Sequence, residues 1–471
     1  MEGDHASPPR PLFQDYVHFG MASPDSIRIL TLNCWGLKYL AKYRNERLSE
    51  IGRQLAVSDP PPDIVGLQEC WTQQDYESIR SQISHVLPYG KFYYGGIWGA
   101  GLAIFSKWPI EQSSMCEYPL NGRPTAFFRG DWFVGKGVAC ARIRFGQGSH
   151  DVAEVFCTHL HAPYEQEPHD SYLAHRTAQA WEIAKLMRGA AERGHLVLGL
   201  GDFNMLPSSF AHRLIRAHSP VVDAWQMIYP DSSVGAAKDA VEKARGKPVP
   251  SAEFNLHHNG ATCDGPYNSW RWSKKDQKRL DKGHDIPVNK DGEDIYGKRL
   301  DYIFVGDEVG WSVKDVSIGM TERHPTLRCS LSDHFAVEAV VTRDSSSIAK
   351  ERGGDLEKSA RLTLPAETYT HILDMVHAYM RRERTQRRWR LIHFIASVLV
   401  TIGCLVGVWW NGDRPYIPFI LTLVSTLSFG AGLLDGLIGG LFVSSELRAL
   451  KEFEWEIRNT KRLIEQAESQ P

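Results

Sequence analysis

Six short apolar runs in the sequence each carry, at one end, a polar side chain of a type that binds metals or transfers protons. They are Asn33 in "LTLNCWG", Glu69 in "VGLQECW", His159 in "FCTHLHA", Asp202 with Asn204 in "GLGDFN", Asp301 in "RLDYIFV", and Asp333 with His334 in "LSDHFA". A single polar residue beside a strand is usually a turn or capping residue. Six at the same place in a strand pattern indicate groups that meet in one cleft when the strands lie side by side.

The residue types in this set favour hydrolysis of a phosphate ester. Carboxylate and amide oxygens suit Mg²⁺ better than zinc, and the set contains no thiolate. A magnesium ion would neutralise a phosphoryl oxygen and the developing alkoxide. One histidine, held by a carboxylate, would take a proton from the attacking water, and other donors would stabilise the charge on phosphorus.

The elements that must position these groups alternate between strands and helices from residue 26 to residue 343. "SIRILTLNCW", "DIVGLQEC" and "VAEVFCTHLHA" are typical of strands, whereas "RNERLSEIGRQLAV" and "SYLAHRTAQAWEIAKLMRGAAE" have helical spacing. This mixture predicts one layered α/β catalytic domain. Residues 231–294 are rich in Lys, Asp, Asn, Gly and Pro and predict a long loop insertion. Residues 1–25 predict a loose arm without the pattern of a signal peptide.

The C-terminal part of the chain has the pattern of a membrane anchor. Residues 344–390 predict a linker and a basic helix that ends in "RRERTQRRWR". Residues 391–410 contain no Asp, Glu, Lys or Arg and would span roughly 30 Å as a helix. Residues 416–443 form a second such segment, in which only Asp435 is charged. A buried core helix is the alternative, but two tandem segments behind a basic cluster favour a multi-pass membrane protein.

The arginines before the first span predict that the catalytic domain and the tail 444–471 are cytosolic. Small residues recur every four positions along the second span, at Ser428, Gly432, Gly436 and Gly440. Such a face predicts packing between the two spans or, alternatively, a homodimer contact. Asp435 lies next to this face, where it is a functional candidate or a protonated carboxyl buried against the other helix.

The net charge and the cysteine spacing further limit the functions and the cellular setting that the sequence supports. The formal net charge of −2 provides no basic field of the kind that drives sequence-independent binding of nucleic acid. The eight cysteines form no C-x-x-C pair, so we expect buried, reduced thiols in a cytosolic setting.

The ordered motifs resemble those of the endonuclease–exonuclease–phosphatase superfamily. With "GDWFVGKG" and "YLAHRTAQAWE", they look like the neutral sphingomyelinases, a branch that includes the fungal inositol phosphosphingolipid phospholipases C with two C-terminal spans. The resemblance implies a DNase I-like four-layer α/β sandwich with two C-terminal transmembrane helices. It implies Mg²⁺-dependent phospholipase C-type cleavage of membrane sphingolipids to ceramide and a phosphorylated head group. Anionic phospholipids as activators fit the juxtamembrane arginines, and the endoplasmic reticulum or mitochondrial outer membrane is the expected location.

The resemblance also implies roles for the strand-end residues. Glu69 resembles the primary magnesium ligand, with Asn33 beside it and Asp333 as a further ligand or a residue that holds one. His334 resembles the general base, oriented by Asp301.

The remaining strand-end residues resemble groups around the substrate phosphate. Asn204 resembles the phosphate contact, His159 a transition-state donor, and Asp202 a residue that holds the water or the second histidine. Asp131 and Lys136 in "GDWFVGKG" resemble a regulatory pair that switches this loop between two arrangements, although a solvated turn is the alternative. Nucleotide binding is disfavoured because Gly137 stands where G-x-x-x-x-G-K-[ST] needs Ser or Thr.

Three questions stay open from the sequence. A nuclease or phosphatase of the same superfamily is one rival function, and a catalytically idle membrane scaffold is another. The head group is also undecided. Trp270 and Trp272 would suit the quaternary ammonium of choline, whereas Arg271 and nearby lysines would suit an inositol phosphate.

Overall fold

Two six-stranded sheets form the centre of the molecule in the computed structural model, which describes residues 23–165, 170–306, 310–343 and 364–469. Most of the predicted N-terminal arm and the first part of the predicted segment 344–390, residues 344–363, lie outside the described residues. The strands are β1 Ser26–Asn33, β2 Ile64–Gln68, β3 Tyr89–Tyr93, β4 Leu102–Ser106, β5 Ile110–Glu117, β6 Gly137–Arg144, β7 Val152–His159, β8 Leu196–Asp202, β9 Val221–Asp223, β10 Asp301–Gly306, β11 Trp311–Gly319 and β12 Ala336–Arg343.

The first sheet has the order β11-β12-β1-β2-β4-β3, and the second has the order β5-β6-β7-β8-β10-β9. Both are mixed: β1 runs parallel to β2 and antiparallel to β12, while β8 runs parallel to β7 and antiparallel to β10. The central strands read as nearly continuous apolar runs because both of their faces are covered.

The helices that flank the sheets begin and end as follows: α1 Arg44–Val57, α2 Gln73–Ile83, α3 Asp131–Val134, α4 Leu173–Glu192, α5 Phe210–His218, α6 Ala224–Ile228, α7 Ala240–Lys243, α8 Ala252–His257, α9 Lys274–Asp281, α10 Ala366–Trp409, α11 Tyr416–Leu437 and α12 Val443–Glu468. Short 3-10 helices occupy Pro124–Arg129 and Ser269–Arg271, and a π-helical turn, Ile438–Phe442, joins α11 to α12.

Three buried clusters divide the core into layers. Side chains such as Ile29, Val155 and Leu198 fill the space between the two sheets. Helices α1 and α2 cover the outer face of the first sheet, and α4 and α5 cover the outer face of the second. This four-layer arrangement confirms the predicted DNase I-like α/β sandwich.

Segment 231–294 is more regular than the expected long loop, because it contains α7, α8 and α9. Buried amide and carboxylate groups tie its middle to its C-terminal end. Asn255 Nδ2 donates to Asp294 Oδ2 at 2.7 Å, and Asn259 Nδ2 donates to Asn255 Oδ1 at 2.8 Å. Polar residues that predicted irregular structure are therefore partly internal hydrogen-bonding groups of a folded insertion.

The parts of the C-terminal helices that precede and follow the apolar segments pack on the catalytic domain. Tyr369 and Ile372 of α10, with Leu450 and Ile457 of α12, are buried in the same cluster as α4. Polar contacts support this docking: Lys185 Nζ lies 2.8 Å from Glu456 Oε1. The segment expected to be a tail is thus mostly a helix on the surface of the sandwich.

Two helical stretches beyond this docked part are long and apolar enough to cross a membrane. Their small residues face each other, since a Cβ added at Gly432 would lie 2.3 Å from Ser397 Cβ. The carboxylate of Asp435 accepts hydrogen bonds from Arg390 and from His393 Nδ1, the latter at 2.7 Å. In this structure the small-residue face therefore serves the contact between the two candidate spans, and Asp435 is paired.

Candidate functional site

The register of the strands brings the predicted polar groups to one end of the sandwich. In the second sheet, Asp202 at the end of β8 pairs with His159 of the parallel β7 and with Asp301 of the antiparallel β10. In the first sheet, β1 ends at Asn33 beside its antiparallel neighbour β12, and His334 lies just before β12 begins. The ends of both sheets therefore meet in one cleft.

Asn33 joins the two sheets directly. Its Nδ2 donates to Asp202 Oδ2 at 3.0 Å and to Glu69 Oε1 at 3.1 Å. The orientation of the amide is fixed because its Oδ1 accepts a hydrogen bond from the backbone N–H of Trp35 at 2.9 Å. The carboxylates of the two sheets are thus held around a single amide.

His334 is held between two carboxylates. Its Nδ1 lies 2.7 Å from Asp301 Oδ2, and its Nε2 lies 3.9 Å from Asp202 Oδ2. His159 Nε2 approaches Asp202 Oδ2 from the other side, at 3.5 Å. The hydrogen bond to Asp301 leaves Nε2 as the nitrogen that faces the cleft, which is the arrangement of a base and the residue that orients it.

Two carboxylate oxygens in the cleft could receive a cation. Glu69 Oε2 and Asp301 Oδ1 are both buried without a hydrogen-bond partner among the described residues. Asp202, Asp301 and His334 also place one potential ligand atom each within 4.8 Å of one another. A buried carboxylate oxygen without a donor is costly unless a charge compensates it, so the residues fit a bound metal ion.

Glu69, Asp202 and His334 in the cleft all have raised pKa values, so the cleft attracts positive charge. Burial and the charge of Asp333 raise the pKa of Glu69 to about 7. Burial also raises the pKa of Asp202 to about 6, with His334 opposing and Asp301 reinforcing the shift. Burial alone would lower the pKa of His334, but the carboxylates of Asp301 and Asp202 outweigh it and raise that pKa well above its usual value.

Lys136 reaches the same cleft from the loop "GDWFVGKG". Its Nζ donates to the backbone carbonyls of His159 at 3.3 Å and Leu160 at 3.2 Å. Burial lowers the pKa of Lys136. Burial also lowers the pKa of His159, and the nearby charge of Lys136 adds to this shift, so the pKa of His159 lies well below its usual range. His159 is therefore a neutral imidazole beside a buried ammonium group.

Asp131 has partners of its own. It accepts a hydrogen bond from Tyr164 Oη at 3.1 Å and lies 3.5 Å from His161 Nδ1. No direct ion pair joins Asp131 to Lys136 in this structure, although both side chains are among the described residues. The two residues of the predicted regulatory loop thus have different hydrogen-bond partners, although the charge of each shifts the pKa of the other.

Backbone geometry at the strand ends is unusual for non-glycine residues. Trp35, Glu69 and Asn204 have φ values of +46°, +55° and +46°. Glu69 and Asn204 are themselves polar strand-end residues, and Trp35 follows Asn33. Backbone conformations of this kind cluster at functional sites. Gly36 allows the close approach beside Glu69, because an added Cβ would lie 2.2 Å from the carbonyl oxygen of Glu69. Asn204 is fixed by a bond of 3.1 Å from its Nδ2 to the carbonyl of Leu160.

Arg47 is a residue of the site's framework that the sequence did not reveal. It is fully buried, and its Nη1 donates to the carbonyl oxygens of Leu331 at 2.6 Å and Cys34 at 3.2 Å. It therefore ties the loop after β1 to the loop that carries His334. Its only sequence signal is a charged residue on the apolar side of α1.

The two tryptophans that the sequence left open as a choline site both donate to backbone carbonyl groups. Trp270 Nε1 donates to the carbonyl of Ser330 at 2.8 Å, and the ring packs on Trp35 with 4.7 Å between centroids. Trp272 Nε1 donates to the carbonyl of Pro266 at 2.7 Å. The Trp270 bond thus holds the insertion against the loop before β12, whereas the Trp272 bond is internal to the insertion and its side chain lines a surface cavity with Ile286.

A basic cluster borders the cleft. Asp264 forms ion pairs with Arg271 Nε at 2.5 Å and with Lys298 Nζ at 2.9 Å. Cys263, the neighbour of Asp264, pairs with both Lys298 and His334 through isolated β-bridges. Lys298 was not predicted from the sequence, since a single lysine just after the lysine-bearing insertion carries no distinguishing pattern.

Several known proteins are similar to this chain. The model of the endonuclease/exonuclease/phosphatase family matches residues 30–334. The inositol phosphosphingolipids phospholipase C of Schizosaccharomyces pombe is 38% identical over 93% of this chain and 95% of that protein. Human sphingomyelin phosphodiesterase 2 is also 38% identical, over 42% of this chain and 46% of that protein. Sphingomyelinase C from Streptomyces griseocarneus aligns with a TM-score of 0.43 and 18% identity over 67% of this chain and 99% of that one.

The chain therefore belongs to the endonuclease/exonuclease/phosphatase family, within the branch of the neutral sphingomyelinases and fungal inositol phosphosphingolipid phospholipases C.

Proposed function

We propose that the protein is a membrane-anchored, Mg²⁺-dependent phospholipase C-type hydrolase of sphingolipid phosphodiesters. Its products are ceramide and a phosphorylated head group. The observation that supports this best is the His334–Asp301 pair, 2.7 Å apart, in the same cleft as the unpartnered Glu69 Oε2. The similarity to the fission-yeast phospholipase C over nearly the whole chain supports the substrate class.

His334 is the proposed general base. Asp301 holds its Nδ1, so Nε2 is free to accept a proton from a water that attacks phosphorus. Asp202, 3.9 Å from that nitrogen, helps to orient the water. The carboxylate of Asp301 then stabilises the imidazolium that forms.

Glu69 is the proposed primary magnesium ligand, with Asn33 beside it and Asp333 as a further ligand or a residue that holds one. The hard oxygen atoms of this group suit Mg²⁺. A bound divalent cation would neutralise charge on the phosphate and the leaving oxygen and would oppose protonation of His334. The set Asp202, Asp301 and His334 is the alternative site. We favour Glu69 because the short His334–Asp301 hydrogen bond already occupies the imidazole Nδ1.

Donors on the other side of the cleft would contact the substrate phosphate. Asn204 is the proposed phosphate contact, and the neutral His159 is the proposed donor to charge that develops in the transition state. Lys136 adds a buried positive charge behind His159. Preorganised donors of this kind stabilise a transition state without having to reorient. We propose that Asp131 and Lys136 regulate the site by changing the arrangement of their loop.

Inositol phosphosphingolipids are the proposed preferred substrates, with sphingomyelin as the alternative. The phospholipase C relative aligns over 95% of its length and the sphingomyelin phosphodiesterase over 46%. Arg271 and Lys298 beside the cleft offer cations to an anionic head group, while the indole of Trp270 already donates to Ser330. Rates on the two lipids, measured side by side in mixed micelles, test this preference.

The spans would keep the cleft close to lipid substrates. We propose that both apolar segments cross the membrane, that the catalytic domain is cytosolic, and that the membrane is the endoplasmic reticulum or the mitochondrial outer membrane. The basic end of α10, with six arginines between residues 381 and 390, would attract anionic phospholipids. Tethering raises the local concentration of the lipid around the site.

A substrate panel with the full-length protein tests the function. The substrates are inositol phosphoceramide, sphingomyelin, a phosphatidylinositol phosphate and abasic DNA, each with Mg²⁺, for the wild type and His334→Ala. We expect ceramide from the sphingolipids and its loss in the variant. Turnover of DNA or the inositide alone would indicate the nuclease or phosphatase, and no turnover of any substrate would favour an idle scaffold.

A further inference from the structure

Four large apolar side chains are exposed on two adjacent loops of the catalytic domain. They are Ile97, Trp98, Phe127 and Phe128, which we call the aromatic patch, with exposed fractions of 72%, 58%, 46% and 76%. Single exposed apolar residues are common, but four on neighbouring loops form a surface that a soluble domain normally covers.

The two loops are joined, so the aromatic patch is one surface. The backbone N–H groups of Ile97 and Trp98 both donate to the carbonyl of Phe133, at 2.9 and 3.0 Å. The ring of Trp98 lies 5.0 Å from that of Phe133. It also covers Gly130, where an added Cβ would come within 2.8 Å of the indole.

Contacts with both candidate spans fix the position of the aromatic patch along the direction in which the spans would cross the membrane. Arg390, the last arginine before the first apolar segment, donates from Nη2 to the carbonyl of Thr125 at 3.2 Å. Phe442, at the end of the second apolar segment, packs against Trp132 with 4.5 Å between ring centroids. Thr125 and Trp132 flank Phe127 and Phe128 in sequence, so the loop lies where both helices change from apolar to polar.

We propose that the aromatic patch inserts into the interfacial layer of the bilayer that the two spans cross. The inference rests on the membrane part of the proposed function. A bilayer is the occupant that the structure favours, because the aromatic patch lies at the level of the helix boundaries. Phenylalanine and tryptophan side chains are suited to this layer, where an apolar ring can be buried beside lipid head groups.

Insertion would orient the catalytic domain on the lipid surface. The inserted loop continues from Phe128 through Asp131 to Lys136, whose Nζ reaches the carbonyl groups of His159 and Leu160 in the cleft. The same short loop thus connects the membrane surface with the active-site edge. The bilayer would therefore be a third attachment point for this domain, besides the two spans.

Depth measurement by a nitroxide spin label tests the proposal. The full-length variants Phe128→Cys and Ile97→Cys are labelled and reconstituted in vesicles of phosphatidylcholine and phosphatidylserine. Collisions with oxygen, which concentrates in lipid, are compared with collisions with a water-soluble nickel chelate. Wild-type protein treated in the same way corrects for labelling of the native cysteines.

Two further positions serve as references. Leu405→Cys, in the first candidate span, should report lipid. Val57→Cys is a matched exposed apolar site at the end of α1, on the outer face opposite the one that α10 and α12 cover, and should report water.

The expected result is that labels at residues 128 and 97 resemble residue 405 in their preference for oxygen over the nickel chelate, at a shallower depth. Labels as accessible to the chelate as that at residue 57 would overturn the proposal. So would labels shielded from both reagents, which would indicate a protein partner. If the label at residue 405 also reports water, the membrane anchor itself is wrong, and with it the basis of this inference.

Discussion

The amide of Asn33 lies 3.0 Å from the carboxylate of Asp202, although the two residues are 169 positions apart. The same Nδ2 donates to Glu69, so one side chain sets the spacing between carboxylates of both sheets. The site exists only when the sheets are stacked in the observed register, because neither sheet alone carries the complete set.

Asn33→Ala should disable the enzyme more than it unfolds it. The substitution leaves Glu69 and Asp202 without their shared donor, and an unmet buried hydrogen-bonding group costs about 1–3 kcal/mol. We expect a decrease in kcat/KM of at least about tenfold, with thermal unfolding shifted by only a few degrees. Asn45→Ala, at an exposed position on α1, is the control and should leave both quantities unchanged. Equal rates for the two variants would argue against a central role of Asn33.

His334→Ala should reduce turnover by roughly 10²–10⁴-fold, the usual contribution of a general base. Asp301→Asn gives a more specific test through the pH profile of kcat/KM. The carboxylate of Asp301 raises the pKa of His334, so its removal lowers that pKa. Activity that depends on neutral His334 rises as pH rises through this pKa, and the acid limb should therefore move to lower pH while the maximal rate falls. An unmoved limb would exclude Asp301 as the residue that orients the base.

Much of this site could be predicted from sequence because strand patterns fix the ends of strands. Asn33, Asp202, Asp301 and His334 each adjoin an apolar run, and mixed sheets bring these particular ends to one edge. Edge strand β5, "IEQSSMCE", was not predicted because most of its side chains are at least partly exposed and carry no apolar pattern. The strand forms through antiparallel pairing with β6, although its composition does not favour a strand.

Contacts made across long sequence distances were the other features that could not be predicted. Trp270 Nε1 donates to the carbonyl of Ser330, and no pattern in the sequence near either residue predicts this hydrogen bond. Lys136 and Asp131 are close in sequence, yet the fold gives them separate partners. The buried positions of α12, such as Leu450, Phe453 and Ile457, do recur at helical spacing, but this pattern does not show which surface the helix covers.

Magnesium should stabilise the protein more at pH 7.5 than at pH 5.5. Without the metal, the pKa of Glu69 is raised to about 7 and that of Asp202 to about 6, so protons compete with the ion at the lower pH. The raised pKa values also mean that the metal-free protein loses stability as pH rises from about 4 toward 7. Thermal unfolding in detergent, with Mg²⁺ or with a chelator, measures both effects.

Glu69→Gln is the control for the metal effect. The variant keeps the size of the side chain but removes the charge, and its unfolding temperature should respond little to Mg²⁺ at either pH. A full response in this variant would move the metal to the alternative group of Asp202, Asp301 and His334.

The buried ion pair of Asp223 and Arg299 should be a large contributor to stability. Arg299 Nη1 lies 2.9 Å from Asp223 Oδ2, and His212 Nε2 approaches the same oxygen at 3.1 Å. Both members of the ion pair are almost fully buried, so Asp223→Asn leaves an uncompensated charge and should cost about 3–5 kcal/mol. Denaturant unfolding of the detergent-solubilised protein measures this loss.

The pH dependence distinguishes this pair from simple packing. Burial alone would raise the pKa of Asp223, but Arg299 and His212 outweigh it and lower the pKa below its usual value. The pair's contribution is therefore present above the unfolded-state pKa of about 3.9 and is lost as pH falls through the folded-state value. The wild type should lose stability steeply in acid, and Asp223→Asn less steeply. Parallel acid curves would contradict the assignment.

Docking of α12 on the sandwich should be necessary for a stable protein. Leu450 is fully buried among residues of α4 and α10, and Leu450→Ala should cost about 2–5 kcal/mol through the cavity it leaves. Leu463→Ala on the same helix is the matched control, because Leu463 is 59% exposed and should contribute little. Limited proteolysis should cut after the basic residues of α12 sooner in Leu450→Ala than in Leu463→Ala. Equal cleavage rates would mean that α12 is held by the spans alone, and that its buried face adds nothing to the attachment of the catalytic domain.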